Sequence, residues 1–226
     1  MLESLSLDGK TIVVTGGGTG LGREMVLAMA RAGADVVVAS RRTGPIEEVA
    51  SLVKDLGRRS IAISTDVTDS AQVDRLFQAT LDEFGQVDVL FNNAGIFPKG
   101  DGSPVETSEE VWQRVIDVNL KGVFLGCKHG NPALLASGGG SIVNTASFVA
   151  VVGAATSQIA YTASKGGVLA MTREIAVEYA RQGIRANALC PGPVNTPLLA
   201  EFLSDPEVRA RRMVHIPMGR LAEPSE

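Results

Sequence analysis

The stretch TIVVTGGGTGLG, residues 11–22, decides the fold of this chain. Its first five residues are apolar or β-branched, as in a buried strand, and the glycines that follow lead straight into an amphipathic segment. Glycines allow a tight turn and let the backbone approach a pyrophosphate, whose charge the amino terminus of a helix stabilises. A glycine-rich turn alone is weak evidence. Its position between the first strand and the first helix predicts a dinucleotide site.

The same alternation of short apolar runs and longer amphipathic segments continues along the chain. Buried strands are predicted at Thr11–Thr15, Val36–Ala39, Ser60–Ser64, Val87–Phe91, Ser141–Thr145 and Ile184–Leu189. The clearest helices are predicted at Leu21–Ala32, Ile46–Leu56, Ala71–Phe84 and Ile159–Arg181, each with a glycine within two residues of its end. The pattern predicts an α/β fold with a doubly wound, Rossmann-like parallel sheet in a single domain spanning residues 1–226. Ligands of such sheets bind at the carboxyl ends of the strands.

Composition narrows the classes of function. The chain has 226 residues, 45% of them hydrophobic, which suits one globular domain. A net charge of −4 without a long basic block gives no footprint for nucleic acid, and no apolar run approaches the roughly 18 residues of a membrane span. The start, MLESLSLDGK, lacks the pattern of a secretory signal, so we expect a cytoplasmic protein.

Cysteine and histidine are scarce. Cys127 and Cys190 both lie in apolar stretches and are expected to be small core residues. Neither His129 nor His215 has a cysteine or histidine partner at the spacing of metal ligands. No metal site is predicted.

Tyr161 and Lys165, in the run YTASK, lie four positions apart on a predicted helix and therefore share one face. A free tyrosine has a pKa near ~10, and a cation beside it stabilises the phenolate and lowers that pKa. The pair is therefore a candidate for proton transfer near neutral pH. Taken alone, the same spacing more often arises by chance on a helix.

Six motifs follow one another along the chain: TGGGTGLG at residues 15–22, NNAG at 92–95, DVNLKG at 117–122, SIVNTAS at 141–147, YTASK at 161–165, and Pro191-Gly192. In this order they resemble the motifs of the short-chain dehydrogenase/reductase family, over nearly the whole chain. The small single-domain members, such as 3-oxoacyl-carrier-protein reductases and polyol or steroid dehydrogenases, are most similar. The resemblance implies that the catalytic residues are Asn119, Ser147, Tyr161 and Lys165. It implies cofactor contacts at Thr15, Gly16, Gly20, Leu21, Gly22, Asp66, Val67, Asn93, Ala94, Gly95, Tyr161, Lys165, Pro191, Gly192, Val194 and Thr196.

The chemistry implied by the resemblance is hydride transfer between a nicotinamide cofactor and a carbonyl or secondary alcohol. Reduction builds negative charge on the carbonyl oxygen, so donors must be aimed at it and one must give up a proton. Ser147 would position the carbonyl and Tyr161 would protonate it. Lys165 would lower the pKa of Tyr161 and bind the nicotinamide ribose, while Asn119 would hold a water that links Lys165 to solvent.

Cofactor choice depends on the end of the second strand. A carboxylate there would bind the ribose hydroxyls of NAD and repel a 2'-phosphate. This chain has Ser40 followed by Arg41 and Arg42, and arginine offers a planar fork of donors to a phosphate. NADP(H) is therefore the preferred cofactor, with NAD(H) possible because Thr19 stands where many NADP(H) members carry a basic residue. Arg41 and Arg42 can also be solvent-facing residues.

Large apolar residues flank the motifs and favour an apolar carbonyl or alcohol substrate: Phe97, Phe148, Val149, Ile159, Leu198, Leu199, Phe202 and Met213. Other residues have simpler interpretations. Asn92 and Asn93 can serve mainly to tie strands together, Asp69 is predicted to cap a helix, and the run Arg209, Arg211 and Arg212 is expected to be a solvated face.

Members of the family usually continue beyond the sequence EPSE that ends this chain, with a seventh strand that contributes to tetramer contacts. Relative to them the chain is truncated at its carboxyl end. We therefore expect six strands, an exposed sheet edge, and a weakened homo-oligomer, either a tetramer or a dimer.

Two other functions remain open. One is an epimerase or dehydratase that uses the same tyrosine and lysine, and the other is a nonenzymatic dinucleotide-binding sensor or scaffold.

Overall fold

The computed structural model describes residues 5–214 and 216–226, except for the side chains of Glu201 and Phe202. Within them, a sheet of six parallel strands has the order β3-β2-β1-β4-β5-β6. The strands are β1 (Thr11–Thr15), β2 (Asp35–Ser40), β3 (Ser60–Ser64), β4 (Val89–Asn92), β5 (Gly140–Thr145) and β6 (Ile184–Leu189). The chain moves outward from β1 to β3 and then crosses back, so the order reverses between β1 and β4. This reversal is the place where doubly wound sheets bind ligands.

The helices lie between these strands and after the last one. They are α1 (Gly20–Arg31), α2 (Thr43–Asp55), α3 (Ser70–Phe84), α4 (Glu109–Ile116), α5 (Gly122–Ala136), α6 (Ile159–Tyr179), α7 (Pro197–Phe202) and α8 (Pro206–Met213). The predicted fold class is confirmed, with each predicted element present and its ends shifted by no more than three residues. Asp69 caps α3 as expected, because its carboxylate accepts hydrogen bonds from the backbone N–H groups of Ala71 and Gln72.

Strands β1 and β2 are buried on both faces because a layer of helices covers each face of the sheet there. On one face, α1 and α2 pack over a core that includes Ile12, Val14 and Val36. On the other, α3, α5 and α6 pack over a core that includes Val13 and Phe77. Successive residues of one strand thus supply opposite cores, which explains the near-continuous apolar composition of β1 and β2.

The clearest sequence signals did not include α4 and α5, which follow one another through a turn of π-helix at Asp117–Lys121. Helix α5 has low intrinsic helix propensity, since it contains Gly122, Gly126, Gly130 and Pro132. Its glycines let it approach the sheet closely. A Cβ at Gly126 would overlap the side-chain oxygen of Asn92. Packing therefore stabilises a helix that local propensity disfavours.

The final residues pair with the loop that follows β6. Asn195 donates its backbone N–H to the carbonyl of Ala222, and Ala222 donates its own to the carbonyl of Pro193. Val194 and Ala222 form an isolated parallel bridge. The end of the described chain thus supports the loop that carries Pro191, Gly192 and Val194.

Candidate active site

The glycine-rich turn after β1 is built for close backbone approach. Gly16 has a φ of 68°, donates its N–H to the carbonyl of Ala39, and would bring a Cβ to 2.8 Å from the Cα of Ala94. A Cβ at Gly22 would overlap the carbonyl oxygen of Gly16. Gly20, with a φ of 57°, is the first residue of α1 and faces Thr196. Side chains are therefore excluded from the turn that opens helix α1, as a bound pyrophosphate requires.

The loop after β4 is tied to this turn. The Thr15 hydroxyl oxygen accepts hydrogen bonds from the backbone N–H groups of Asn93 (3.1 Å) and Ala94 (3.2 Å). The Asn93 side chain donates to the carbonyls of Thr15 and Gly16. Asn92 donates to the Asn144 side chain on β5 at 2.9 Å. Both asparagines join neighbouring strands, as the sequence suggested.

Tyr161 enters the site from the first turn of α6. The buried carboxylate of Asp101 accepts hydrogen bonds from the backbone N–H groups of Ala160 (2.9 Å) and Tyr161 (2.8 Å), which are otherwise unpaired donors at a helix start. The ring of Tyr161 also lies 5.0 Å from that of Phe97, measured between centroids. The position of the phenol is thus fixed by both its backbone and its ring.

The electrostatics of Tyr161 differ from the sequence prediction. Burial raises the pKa of Tyr161 above its ordinary value, while a hydrogen bond with Ser147 and the positive charge of Arg212 oppose that rise. The expected lowering of this pKa by Lys165 is therefore wrong for the protein alone. At neutral pH the phenol is protonated and can act as an acid.

Lys165 lies one turn after Tyr161 along α6. Its ammonium group donates to the carbonyl of Thr145 at 2.6 Å and lies 5.6 Å from the centroid of the Tyr161 ring. Burial lowers the pKa of Lys165 to about 8, because removal from water disfavours the charged amine. A Cβ added at Gly95 would lie 3.6 Å from the Lys165 ammonium, so the loop after β4 closes over it.

Asn119 occupies the middle of the π-helical turn and is 0% exposed. Its side-chain oxygen accepts from the backbone N–H of Ile96, while its amide nitrogen donates to the carbonyl of Ile96 and to the hydroxyl of Ser164. The Ser164 hydroxyl in turn donates to the carbonyl of Tyr161. Asn119 therefore links the loop after β4 to α6. Such single π turns often occur at functional sites.

These elements surround a cleft of about 120 Å³ at the carboxyl ends of the strands. Its walls include Ser147, Tyr161 and the segment after β6, whose Pro191 carbonyl accepts the backbone N–H of Phe148. The lining residues are Leu21, Phe97, Thr145, Ala146, Ser147, Phe148, Gln158, Tyr161, Pro191, Gly192, Pro193, Val194, Thr196, Leu198, Leu199 and Arg212. Two predicted catalytic residues, Ser147 and Tyr161, thus share a cavity with some of the predicted cofactor residues, whereas Asn119 and Lys165 are not in its lining. Of the apolar residues predicted to flank the site, Phe97, Phe148, Leu198 and Leu199 line it, whereas the side chain of Phe202 lies outside the described residues.

Arg212 is the site residue that sequence reasoning missed. It was expected on a solvated face with Arg209 and Arg211, but it is only 5% exposed, and its guanidinium donates to the Gln158 side-chain oxygen at 2.6 Å. Arg209 and Arg211 are exposed, as predicted. The helical period offered a partial signal. Three arginines within four positions of a helix cannot all lie on the same face, so they could not all be expected to share one solvated face.

The ends of β2 and β3 form a more open region. Ser40 donates its hydroxyl to the carbonyl of Arg42, and Arg41 is exposed beside Asp66 in a wide groove that also borders α4. The Asp66 carboxylate accepts from the backbone and hydroxyl of Thr68, and Val67 is buried. Arg41 and Asp66, both predicted cofactor contacts, therefore line one groove, in which the Arg41 side chain is exposed.

Two expectations about other residues also meet the structure. Cys127 is buried, as predicted, and burial raises its pKa to about 12. Cys190 is exposed just after β6, so its assignment to the core is wrong.

Within the described part of the chain, no helix is long and apolar enough to span a bilayer.

Taken together, a glycine turn at the reversal point of a parallel sheet and a Ser-Tyr-Lys group in the adjoining cleft define a dinucleotide-dependent oxidoreductase. The sequence pattern of the short chain dehydrogenase family matches residues 10–207. The chain belongs to the short-chain dehydrogenase/reductase family, whose enzymes are NAD(P)-dependent oxidoreductases of alcohols and ketones.

Individual relatives agree with this assignment. The chain is 41% identical to cis-4-hydroxycyclohexanecarboxylate dehydrogenase from Sinomonas cyclohexanicum, over 96% of this chain and 85% of that protein. It is 37% identical to cyclohexanol dehydrogenase from Acinetobacter sp. (strain SE19), over 100% and 87%. A solved structure assigned as an NAD(P)-dependent gluconate 5-dehydrogenase from Beutenbergia cavernae, with NADP bound at low occupancy, has a TM-score of 0.89 and 38% identity over 98% of this chain and 87% of that one.

Proposed function

We propose that the enzyme interconverts a ketone and a secondary alcohol, with Tyr161 as the general acid and base and NADP(H) as the preferred cofactor. The observation that carries the proposal is the shared cleft, which is lined by Ser147 and Tyr161 together with Pro191, Gly192, Pro193, Val194 and Thr196. Lys165 is buried next to them, with its ammonium fixed by Thr145.

Each residue of the site has a role that follows from its position. Ser147 lines the same cleft as Tyr161 and would hold the substrate oxygen beside the phenol. Because burial keeps Tyr161 protonated, its hydroxyl can give a proton to an oxygen that gains negative charge. Lys165 supplies a positive charge below the phenol and helps to stabilise the phenolate left behind. Asn119 hydrogen-bonds both the loop after β4 and helix α6 and so holds the two together.

The residues that would hold the cofactor fit a dinucleotide. The side-chain-free turn at Gly16, Gly20 and Gly22 leaves space and helix N–H groups for a pyrophosphate. Pro191, Gly192, Val194 and Thr196 line the same cleft as Tyr161. When bound, the nicotinamide supplies or accepts the hydride.

The preference for NADP(H) rests on the end of β2. Ser40 leaves no carboxylate to repel a 2'-phosphate, and the exposed Arg41 lines the same groove as Asp66. A guanidinium can pair with phosphate through two parallel hydrogen bonds.

The substrate is proposed to have an apolar body. Phe97, Phe148, Leu198 and Leu199 line the cleft around Tyr161. The relatives from Sinomonas and Acinetobacter are named for hydroxyl groups on six-membered carbon rings. Cyclic ketones and alcohols are therefore the first compounds to assay.

We also propose a cytoplasmic homo-oligomer, a dimer or a tetramer. Trp112 on α4 is 39% exposed and Phe124 on α5 is 50% exposed, which are large apolar surfaces for adjoining helices. Sedimentation velocity would measure the state directly, and a monomer at micromolar concentration would contradict this part of the proposal.

The test of function is a panel of cyclic and linear ketones and alcohols, followed at the absorbance of the reduced nicotinamide. Turnover that depends on NADP(H) supports the proposal. Cofactor binding without turnover of any compound in either direction would contradict it and would indicate a dinucleotide sensor.

A further inference from the structure

Gln158 is a buried polar residue in the wall of the cleft. It immediately precedes α6, is 4% exposed, and lines the same cavity as Ser147 and Tyr161. A polar side chain at this position could cap the helix, but the Gln158 side chain makes no capping hydrogen bond. Its amide group therefore does not serve to satisfy the first N–H groups of α6.

A hydrogen bond from Arg212 fixes which way the Gln158 amide faces. The guanidinium donates to the Gln158 side-chain oxygen at 2.6 Å. An arginine side chain has donors and no acceptor, so the amide oxygen must point towards it and the NH₂ group must point away. The two N–H donors of the Gln158 amide thus have a defined direction.

The amide nitrogen of Gln158 is accessible from the cleft. Among the described residues it takes part in no hydrogen bond, and it is not one of the fully enclosed polar atoms that lack a partner. It is therefore accessible, and the space that Gln158 lines is the cleft. A substrate that fills the cleft displaces water from these donors and must then supply an acceptor, because an unsatisfied donor costs free energy.

The other lining residues assign this acceptor to a separate atom of the substrate. The side chains of Phe97, Phe148 and Leu199 are apolar and suit the body of the substrate. In the proposed function, the hydroxyl groups of Ser147 and Tyr161 both act on the reacting oxygen. The Gln158 amide is thus placed to recognise a second oxygen.

We propose that Gln158 is a specificity-determining residue whose amide nitrogen donates a hydrogen bond to a second oxygen of the substrate. The substrate is then a ketone or secondary alcohol with an otherwise apolar body that carries one further hydrogen-bond-accepting oxygen. The inference rests on the proposed function, since it specifies the substrate of the same site. A site that hydrogen-bonds an oxygen of its substrate discriminates strongly against the analogue that lacks this oxygen.

A binding experiment compares ketones in which an oxygen replaces a methylene group. The 2-, 3- and 4-methoxycyclohexanones and the matched 2-, 3- and 4-ethylcyclohexanones are titrated calorimetrically into the protein in the presence of NADP⁺. Ketone and cofactor are then both oxidised, so no hydride transfer takes place. The three ring positions vary the distance between the ketone and the second oxygen.

The decisive variant is Gln158→Glu. Glutamate keeps an oxygen that accepts from Arg212 but replaces the donating NH₂ group with a second acceptor. For at least one ring position, we expect the ratio of methoxy to ethyl affinity to be about 10-fold lower in Gln158→Glu than in the wild type. Gln182→Glu, which makes the same change of charge at an exposed position beyond α6, should leave the ratio unchanged.

Several results would overturn the proposal. They are an affinity ratio that Gln158→Glu leaves unchanged at all three ring positions, an equal decrease in Gln182→Glu, or no detectable binding of any of these ketones. If thermal melts show that Gln158→Glu does not fold, Gln158→Met replaces it. Methionine has a similar length and no donor, so an affinity ratio retained in that variant would also refute the proposal.

Turnover assays keep the two proposals distinct. If cyclic ketones are reduced but the affinity ratio does not depend on Gln158, the dehydrogenase assignment stands and recognition by Gln158 fails. If the affinity ratio depends on Gln158 but no ketone or alcohol in the panel is turned over, recognition by Gln158 stands and the proposed reaction fails.

Discussion

The two ends of the proposed cofactor site are built differently. The proposed catalytic cluster, consisting of Asn119, Ser147, Tyr161 and Lys165, is held by hydrogen bonds to the loop after β4, to the last residue of β5 and to Ser164 of α6. The proposed adenosine end, consisting of Ser40, Arg41 and Asp66, is more open, and Arg41 is exposed. Burial shifts pKa values in the cluster, where Tyr161 is raised and Lys165 is lowered.

The difference separates chemistry from cofactor choice. Groups that transfer protons need fixed geometry and a low-dielectric setting, and both depend on packing across the fold. A side chain that selects between NAD(H) and NADP(H) needs only to reach the 2'-phosphate from the edge of the cofactor site. Substitutions in the cluster should therefore change rate and stability, while those at the adenosine end should change cofactor preference alone.

The largest effect is expected for Tyr161→Phe, which removes the proton donor from the cluster. The rate constant kcat should fall by about 10²- to 10⁴-fold, while the Kd for the cofactor stays within about 2-fold. Steady-state kinetics and a fluorescence titration of reduced nicotinamide would measure both. Tyr179→Phe, at the far end of the same helix, is the matched control. Retention of more than about a tenth of the wild-type rate by Tyr161→Phe would show that another group transfers the proton.

A second prediction concerns stability and the buried amine of Lys165. Its pKa of about 8 in the folded protein lies below the ordinary 10.5, so between these values the unfolded chain binds more protons. The free energy of unfolding of the wild type, relative to Lys165→Met, should therefore rise by on the order of 3 kcal/mol as pH increases from 8 to 10.5 and fall again on return to pH 8.

Urea denaturation at several pH values would measure this difference, with Lys54→Met on an exposed face of α2 as the control for loss of a lysine. A difference between wild type and Lys165→Met that is independent of pH, or that falls as pH rises, would contradict the burial of a titrating amine.

A third prediction uses the direction of the Tyr161 pKa shift. Alcohol oxidation needs the phenolate as a base, and burial raises the pKa of Tyr161, so kcat/KM for oxidation should increase about 10-fold per pH unit up to that pKa. Ketone reduction uses the protonated phenol and should be retained at neutral pH. Profiles in both directions between pH 6 and about 10 would test this. An oxidation rate that is flat down to pH 6 would mean that the phenolate already exists there.

The smallest effect is expected at the adenosine end. Ser40→Asp combined with Arg41→Ala should shift the ratio of kcat/KM for NADP(H) over NAD(H) by about 10-fold or more toward NAD(H), because a carboxylate repels the 2'-phosphate. Stability should change by less than about 0.5 kcal/mol at these surface positions. Arg42→Ala is the control for the loss of a nearby charge. A wild type that prefers NAD(H), or a double variant with an unchanged ratio, would remove Arg41 from the cofactor site.

Local sequence patterns were enough to predict the parallel sheet and the order of the motifs along it. Those features depend on local patterns: apolar strands, glycines that end helices, a capping Asp69, and the spacing of Tyr161 and Lys165 on one helical face. It also indicated which strand-end residues meet, since the carboxyl ends of parallel strands share one edge.

The environment of those residues depends on how distant segments of the chain pack together. Helix α5 forms against its own propensity because its glycines fit closely over β4. The pKa of Tyr161 is raised rather than lowered, because burial outweighs its nearby charge and hydrogen bond. Arg212 turns inward to Gln158 while Arg211 remains exposed, and no local pattern marks which arginine of the run enters the cleft. Burial and charge interactions depend on segments far apart in the chain, which is why the sequence reveals the reaction class before it reveals the substrate.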